Sequence, residues 1–145
     1  MLASSYAQRD RISLAMEEAS KAMQLDPENP SPRGMLAKLL FNAKRYKQAY
    51  DICKRSTRAN ILNADILDIL GRIELFNNRN HPEALKAFKF VLSIRKNDPI
   101  SHYFYALTLK RMGKTEEART FIDRGLQLDP SHEMLLKLKG SLKKP

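Results

Sequence analysis

The sequence predicts an all-α solenoid of antiparallel helix hairpins, about four repeats long. A small residue recurs in one column at spacings of 34, 35 and 34 residues: Ala15, Ala49, Ala84 and Ala118. Two further columns keep this period: Ala3, Ala37, Gly71 and Ala106, and Ala22, Ser56, Val91 and Gly125. Such self-similarity is typical of repeats whose units cannot bury their apolar faces alone. Paired helices approach most closely where side chains are smallest, so these columns predict the sites of helix contact.

The first repeat is predicted as a partial hairpin over about residues 1–29. Asp10 and Ser13 stand at its predicted turn, and a second helix follows from Leu14 to Leu25. Asp26-Pro27 ends that helix, because proline cannot donate the next helical hydrogen bond.

The second and third repeats are predicted over about residues 30–63 and 64–98. Ser31-Pro32 opens the second, and Asn42-Ala43-Lys44 separates its two helices. Asn63 starts the third, whose turn at 77–82 is the longest. Leu25-Asp26-Pro27 reappears 103 residues later, three periods of 34 plus one, so one residue is inserted between Gly71 and Ala84. The long turn is the expected site, with Pro82 in the first turn of the next helix.

The fourth repeat is predicted over about residues 99–132, followed by one more helix in 133–145. Its helices are expected at His102–Met112 and Glu116–Leu128, with a turn at Gly113-Lys114 and Thr115 as the N-cap. The last segment is predicted to be a capping helix or the start of a fifth repeat, since terminal repeats often carry a polar-backed cap. The chain is accordingly expected to be either a short complete array or a segment of a longer one.

Composition limits the function classes. The 145 residues are 43% apolar with net charge +10, and neither a long apolar run nor a signal-peptide pattern is visible, which predicts a cytoplasmic chain without a membrane span. The lone Cys53 cannot form an internal disulfide and is expected to be a small buried hydrophobe. No grouping of His, Cys, carboxylates or glycines suggests catalysis, a metal or a cofactor, so the chain is predicted not to be an enzyme.

The repeat columns resemble the tetratricopeptide repeat family. The fourth repeat matches the family pattern best, at Tyr105-Ala106, Leu109, Gly113, Ala118, Ile122, Gly125 and Pro130. The third departs from it at Glu74, where an apolar residue is expected, and this raises a question about the local helix register. The resemblance implies a right-handed superhelix whose concave groove binds a peptide or a partner helix, and hence a protein–protein interaction module or adaptor.

Carried over from the family, the groove is expected to be lined by the first helix of each repeat. The residues concerned are Met35, Lys38, Phe41, Asn42, Asp65, Asp68, Ile69, Arg72, Phe76, Ile100, Tyr103, Phe104, Leu107, Lys110 and Arg111. Tyr103 and Phe104 could instead pack against a neighbouring helix, and the sequence leaves both options open. The Lys/Asn/Lys/Arg clamp that binds chaperone tails in some family members is replaced here by Ser4, Met35, Asp65 and Ile69.

Two alternative functions remain open from the sequence. One is a nucleic-acid-associated protein that uses a basic convex surface formed by Lys44, Arg45, Lys47, Lys54, Arg55 and Arg58. The other is a secretion-type chaperone, suggested by similar repeat arrays of this size. The partner is therefore expected to be a protein or peptide, with a weak nucleic-acid or acidic partner as the alternative.

Overall fold

The computed structural model describes residues 2–142, with side chains from residue 7 onward, and this part of the chain contains eight helices. They are α1 (Leu2–Leu25), α2 (Ser31–Asn42), α3 (Tyr46–Arg58), α4 (Ala64–Phe76), α5 (His81–Ile94), α6 (Pro99–Arg111), α7 (Thr115–Leu128) and α8 (Glu133–Ser141). The chain divides into two compact units, unit 1 up to Leu70 and unit 2 from Gly71 onward. In unit 1, α2 packs against α1 and α3; in unit 2, α6 packs against α5, α7 and α8.

The predicted turn at Asp10 and Ser13 is wrong, because α1 is one uninterrupted helix of 24 residues. The segment from Asp10 to Leu14 contains neither glycine nor proline, so its backbone can keep every helical hydrogen bond. The second helix predicted for this repeat is therefore the later part of α1. The helices predicted for the other repeats are present with small shifts of their ends.

The small column is buried in three of its four members, whereas Ala15 on α1 is partly exposed. Ala49, Ala84 and Ala118 are each 0% exposed. Cys53, four residues after Ala49 on the same face of α3, is buried as well, which confirms it as a packing residue. Larger side chains surround these points, and the hairpins close around them.

The turns inside the hairpins share one backbone device. Lys44, Arg79 and Gly113 each adopt a positive φ, of 64°, 52° and 79°. The left-handed conformation reverses the chain after a helix in few residues. The inserted residue lies in the predicted turn, because four residues (77–80) join α4 to α5, whereas three join α2 to α3 and α6 to α7.

Polar side chains start several helices. The Oδ1 atom of Asn63 accepts from the backbone N–H of Ile66 at 2.9 Å, and Asp98 accepts from the N–H of Ile100 at 3.2 Å. The expected N-cap at Thr115 is wrong: Lys114 holds that position and makes no side-chain cap bond. Since Lys offers no acceptor, the first N–H groups of α7 lack a side-chain cap at this position.

Glu74 does not disturb the register of α4. The helix continues through Glu74 and Leu75 to Phe76, and both Glu74 and Leu75 are buried. The amide of Asn78 donates a hydrogen bond to the Glu74 carboxylate, which satisfies one of its oxygens. This hydrogen bond explains how a carboxylate is accommodated where the family pattern has an apolar residue.

The core of unit 2 is built around stacked aromatic rings. Phe88 and Phe104 stack with centroids 5.4 Å apart, and Ala84, Leu109 and Ile122 belong to the same buried cluster. His102 is also buried, and its Nδ1–H donates to the carbonyl of Asp98 one turn earlier at 3.0 Å.

Among the helices of residues 2–142, none is both long and apolar enough to span a bilayer.

Two glycines give a matched test of this packing. A Cβ on Gly71 would lie 2.7 Å from the Phe88 ring, whereas one on Gly140 would meet nothing within 4 Å. Overpacking costs about 1–3 kcal/mol, and alanine gains up to about 1 kcal/mol in a helix. We expect Gly71→Ala to lower the free energy of unfolding by about 1–2 kcal/mol in urea titrations. Gly140→Ala should be neutral or stabilising, and an equal loss in both variants would contradict the packing account.

Burial also predicts an unreactive cysteine. Desolvation raises the pKa of Cys53 from 9.0 to about 12. The native thiol should therefore react with Ellman's reagent at pH 8 at least about a hundredfold more slowly than in urea. Because the unfolded thiol ionises first, the free energy of unfolding should fall as the pH rises above about 9. Cys53→Ser removes this titration, so the same alkaline slope in that variant would exclude Cys53 as its source.

Candidate partner-binding surface

Helices α4 and α6 bring aromatic and arginine side chains together in unit 2. Phe76 packs edge-on against Phe104 at 6.2 Å, and Tyr103 does the same at 5.2 Å. The guanidinium of Arg72 lies 4.4 Å from the centre of the Phe104 ring, and that of Arg111 lies 5.1 Å from the centre of the Phe76 ring. We call Arg72, Phe76, Tyr103, Phe104 and Arg111 the aromatic–arginine cluster.

The cluster has a buried base and an exposed rim. Phe104 is only 8% exposed, whereas Phe76 is 45% exposed and Arg111 is open to solvent. Tyr103 and Arg72 are partly exposed. Ile100, 41% exposed, lies one helical turn before Phe104 on α6 and extends the apolar surface along that helix. The cluster thus presents one large apolar ring beside a cation.

The stacked arginine suits recognition of a carboxylate. A guanidinium lying over an aromatic ring is attracted by the electrons of the ring face and loses little of its hydrogen-bonding capacity. The N–H groups of a guanidinium lie in the plane of that group, and two of them can donate to the two oxygens of one carboxylate. Phe76 and Arg111 together can therefore contact an apolar group and an anionic group at the same time.

Three residues expected in the groove are buried instead: Ile69, Phe104 and Leu107. Phe104 and Leu107 belong to the core cluster of unit 2, and Phe104 is held there by its stack on Phe88. Their side chains offer almost no surface to a partner in this structure, and a partner contact at these positions stays a prediction. The packing alternative that the sequence left open for Phe104 is the one found.

The groove residues expected in unit 1 differ in exposure. Met35 is 71% exposed, and Lys38 and Asn42 are also open to solvent on α2. Phe41 is partly exposed and packs edge-on against Tyr46 at 5.3 Å. Asp65 and Asp68 are partly exposed on α4. These positions stay predictions for partner contact.

Lys110 and two residues of the expected basic surface contact other side chains of the chain. Lys110 donates from Nζ to the hydroxyl of Ser141 at 2.8 Å, which ties α6 to α8. On α3, Arg55 pairs with Asp51 at 3.2 Å, and Lys54 lies 5.9 Å from the centre of the Tyr50 ring. The remaining basic residues are exposed or partly exposed in α3 and the turn before it: Lys44, Arg45, Lys47 and Arg58.

Within the described residues, no three His, Cys, Asp or Glu side chains are grouped to hold a metal.

The repeats match known sequence families. Two models described as tetratricopeptide repeats match residues 6–73 and 100–132, together more than half of the chain. The chain belongs to the tetratricopeptide repeat family. The unmatched stretch between the two ranges contains Glu74 and the inserted turn residue, where this tetratricopeptide repeat chain departs from the pattern.

Solved structures of tetratricopeptide repeat proteins share the fold. "YrrB: a TPR protein with an unusual peptide-binding site" matches with a TM-score of 0.77 and 20% identity over 92% of this chain and 69% of that one. A MamA protein matches with a TM-score of 0.76 and 17% identity over 94% and 74% of the two chains. MamA from Desulfovibrio magneticus RS-1 matches with a TM-score of 0.71 and 14% identity over 93% and 81%. No curated protein sequence matches the chain. These likenesses establish an all-α helical-repeat fold.

Alanine substitutions should separate the base of the cluster from its rim. Phe104→Ala removes a buried ring and should lower the free energy of unfolding by about 3 kcal/mol or more. Phe76→Ala removes a ring that is nearly half exposed and should cost about 1 kcal/mol or less. Urea unfolding followed by far-ultraviolet circular dichroism measures both values. Equal losses would show that Phe76 is a core residue and not a surface one.

Proposed function

We propose that the aromatic–arginine cluster binds a segment of a partner protein that carries an apolar side chain next to a carboxylate. Tetratricopeptide repeats are protein–protein interaction modules, and this chain is one of them. The proposal adds a location within unit 2 and a chemical class of partner. Catalysis forms no part of it.

One observation carries the proposal: an exposed phenylalanine with an exposed arginine over its ring. Phe76 has 45% of its surface in water, although a buried position next to Phe104 would remove that apolar area from solvent. Aromatic and arginine side chains are enriched among residues that dominate binding energy, because they bury much area and lose little conformational entropy. A partner side chain that covers Phe76 would complete this burial.

Charge favours an acidic segment. The chain carries a formal net charge of +10, so its average field attracts anions and speeds their association at low salt. Specific recognition needs a local cation, and Arg111 supplies one within 5.1 Å of the ring centre. Added salt should therefore weaken the charged contribution and leave the apolar contribution largely intact.

The two alternatives from the sequence gain no comparable support. The basic residues of α3 include Arg55, which is paired with Asp51 in the same helix, and no further observation points from this face to a nucleic acid. Nothing in the described residues favours a secretion-type chaperone. The peptide groove expected in unit 1, around Met35, Lys38 and Asn42, stays a prediction.

A displayed peptide library tests the proposal directly. The protein is immobilised and a random dodecapeptide phage library is selected against it, and enriched peptides are synthesised and titrated by fluorescence anisotropy. We expect enrichment of an aromatic or large aliphatic residue within a few positions of Asp or Glu. Phe76→Ala and Arg111→Glu should each weaken binding by about tenfold or more, the range of a strong interface residue.

Arg124 supplies a matched control. It is exposed and lies 4.9 Å from the centre of the Phe121 ring on α7, so Arg124→Glu makes the same charge change in the same kind of setting. Binding that survives Arg124→Glu but not Arg111→Glu supports the proposed site. Equal losses in both variants would mean that overall charge drives binding, and binding unaffected by Phe76→Ala would place the peptide elsewhere.

A further inference from the structure

Unit 1 contains an apolar groove between α1 and α2. Its volume is about 520 Å³, and its lining includes Ala15, Ala19, Ala22, Met35 and Leu39. Met35 is 71% exposed and the other four residues are partly exposed. Apolar side chains that line an open groove favour an occupant that removes them from water.

The corresponding groove in unit 2 is filled. The repeat period pairs each lining residue with the residue 103 positions later: Ala118, Ile122, Gly125, Leu138 and Leu142. All five are buried; four lie on α7 and α8, and Leu142 directly follows α8. Helix α6 packs against both of these helices and covers them. Unit 2 thus shows what this groove accepts, namely the first helix of the same repeat.

In unit 1 the sequence counterpart of α6 is the beginning of α1. Subtracting 103 from the later half of α6 gives residues 2–8, and Leu2 and Ala3 occupy the columns of Tyr105 and Ala106. We call residues 2–10 the arm. Its sequence follows the columns of a first repeat helix, so the arm has the pattern that the groove is built to receive.

The arm cannot reach the groove of its own chain while α1 is straight. Residues 3 and 15 are separated by about 18 Å along a continuous helix, whereas the paired columns of a closed hairpin touch. The described side chains from Ala7 to Arg11 are exposed. Short helical segments are only marginally stable in water, so the exposed residues 7–11 gain from docking on an apolar surface.

We propose that the groove binds the arm of a second copy of this chain, so that two copies exchange arms. Each copy then supplies one arm and one groove, which gives a closed two-fold assembly and leaves neither surface exposed. A second copy can fill the groove because it carries the matching arm, and its concentration equals that of the first copy. The occupant is thus a helix with the repeat columns of this sequence.

Asp10 is the hinge of the exchange. It occupies the turn position held by Lys44, Arg79 and Gly113, all of which adopt a positive φ. In α1 Asp10 is helical, and the arm extends away from its own groove. Aspartate tolerates the left-handed conformation better than most residues, so the same position could close the hairpin within one chain. Straight and closed forms would give a dimer and a monomer respectively.

Size-exclusion chromatography with light scattering, at tens of micromolar protein, tests the exchange. We expect the native chain to have the mass of a dimer. Ala15→Arg puts a long charged side chain where the arm docks and should weaken dimerisation at least about tenfold, with circular dichroism unchanged because Ala15 is partly exposed in the single chain. Ser20→Arg makes the same charge change on an exposed part of α1 and should remain dimeric. Asp10→Gly should favour the closed hairpin and shift the mass toward the monomer.

Each other outcome overturns the proposal in a distinct way. A native monomer that loses thermal stability in Ala15→Arg but not in Ser20→Arg would show that the arm closes on its own chain. A native monomer whose thermal stability is unchanged by both substitutions would show that the arm does not occupy the groove. A dimer that persists in Ala15→Arg would be held together by another surface. None of these results bears on peptide binding at Phe76 and Arg111, so the two proposals fail separately.

Discussion

The close approach of paired helices at small residues is the contact on which the rest of this structure depends. Ala49, Ala84 and Ala118 have no exposed surface, and no larger side chain would fit without separating the helices. This contact fixes which face of each helix is turned inward. The exposed surface is therefore a consequence of the repeat: once Ala84 and Gly71 bring α4 and α5 together around Phe88, the end of α4 carries Phe76 at the surface.

Periodicity predicted the hairpins well because it reflects this contact, and it failed where a different force decides the backbone. The inserted residue, the burial of Cys53 and most helix ends follow from columns and turn residues in the sequence. The turn at Asp10 does not, because a helix without glycine or proline continues unless a packed partner makes a bend favourable. Phe104 shows the corresponding limit for the surface. A first-helix position looks the same in the sequence whether its ring faces a partner or stacks on Phe88. Periodicity identifies the helix face and not the depth of each side chain.

The core of unit 2 and its proposed binding surface share side chains. Phe104 anchors the core through Phe88, and its ring also contacts Phe76 and Tyr103. Arg72 lies over the same ring and joins the buried base of the cluster to its exposed rim. Packing of this kind holds the proposed binding surface rigid, which would reduce the conformational entropy lost when a partner binds. The arrangement also explains why Glu74 is tolerated two residues before Phe76: its hydrogen bond with Asn78 lies at the end of α4 and leaves the helix intact up to the cluster.

The turn residues have a consequence for the evolution of the chain. Gly113 adopts its positive φ without steric cost, but Lys44 and Arg79 adopt the same region with side chains that disfavour it by about 1 kcal/mol each. Two of the three hairpins therefore close with residues that are not optimal for their backbone. The fold holds unused stability at these positions, and a lineage that acquired glycine or asparagine there could accept destabilising changes elsewhere, including at surfaces that select new partners.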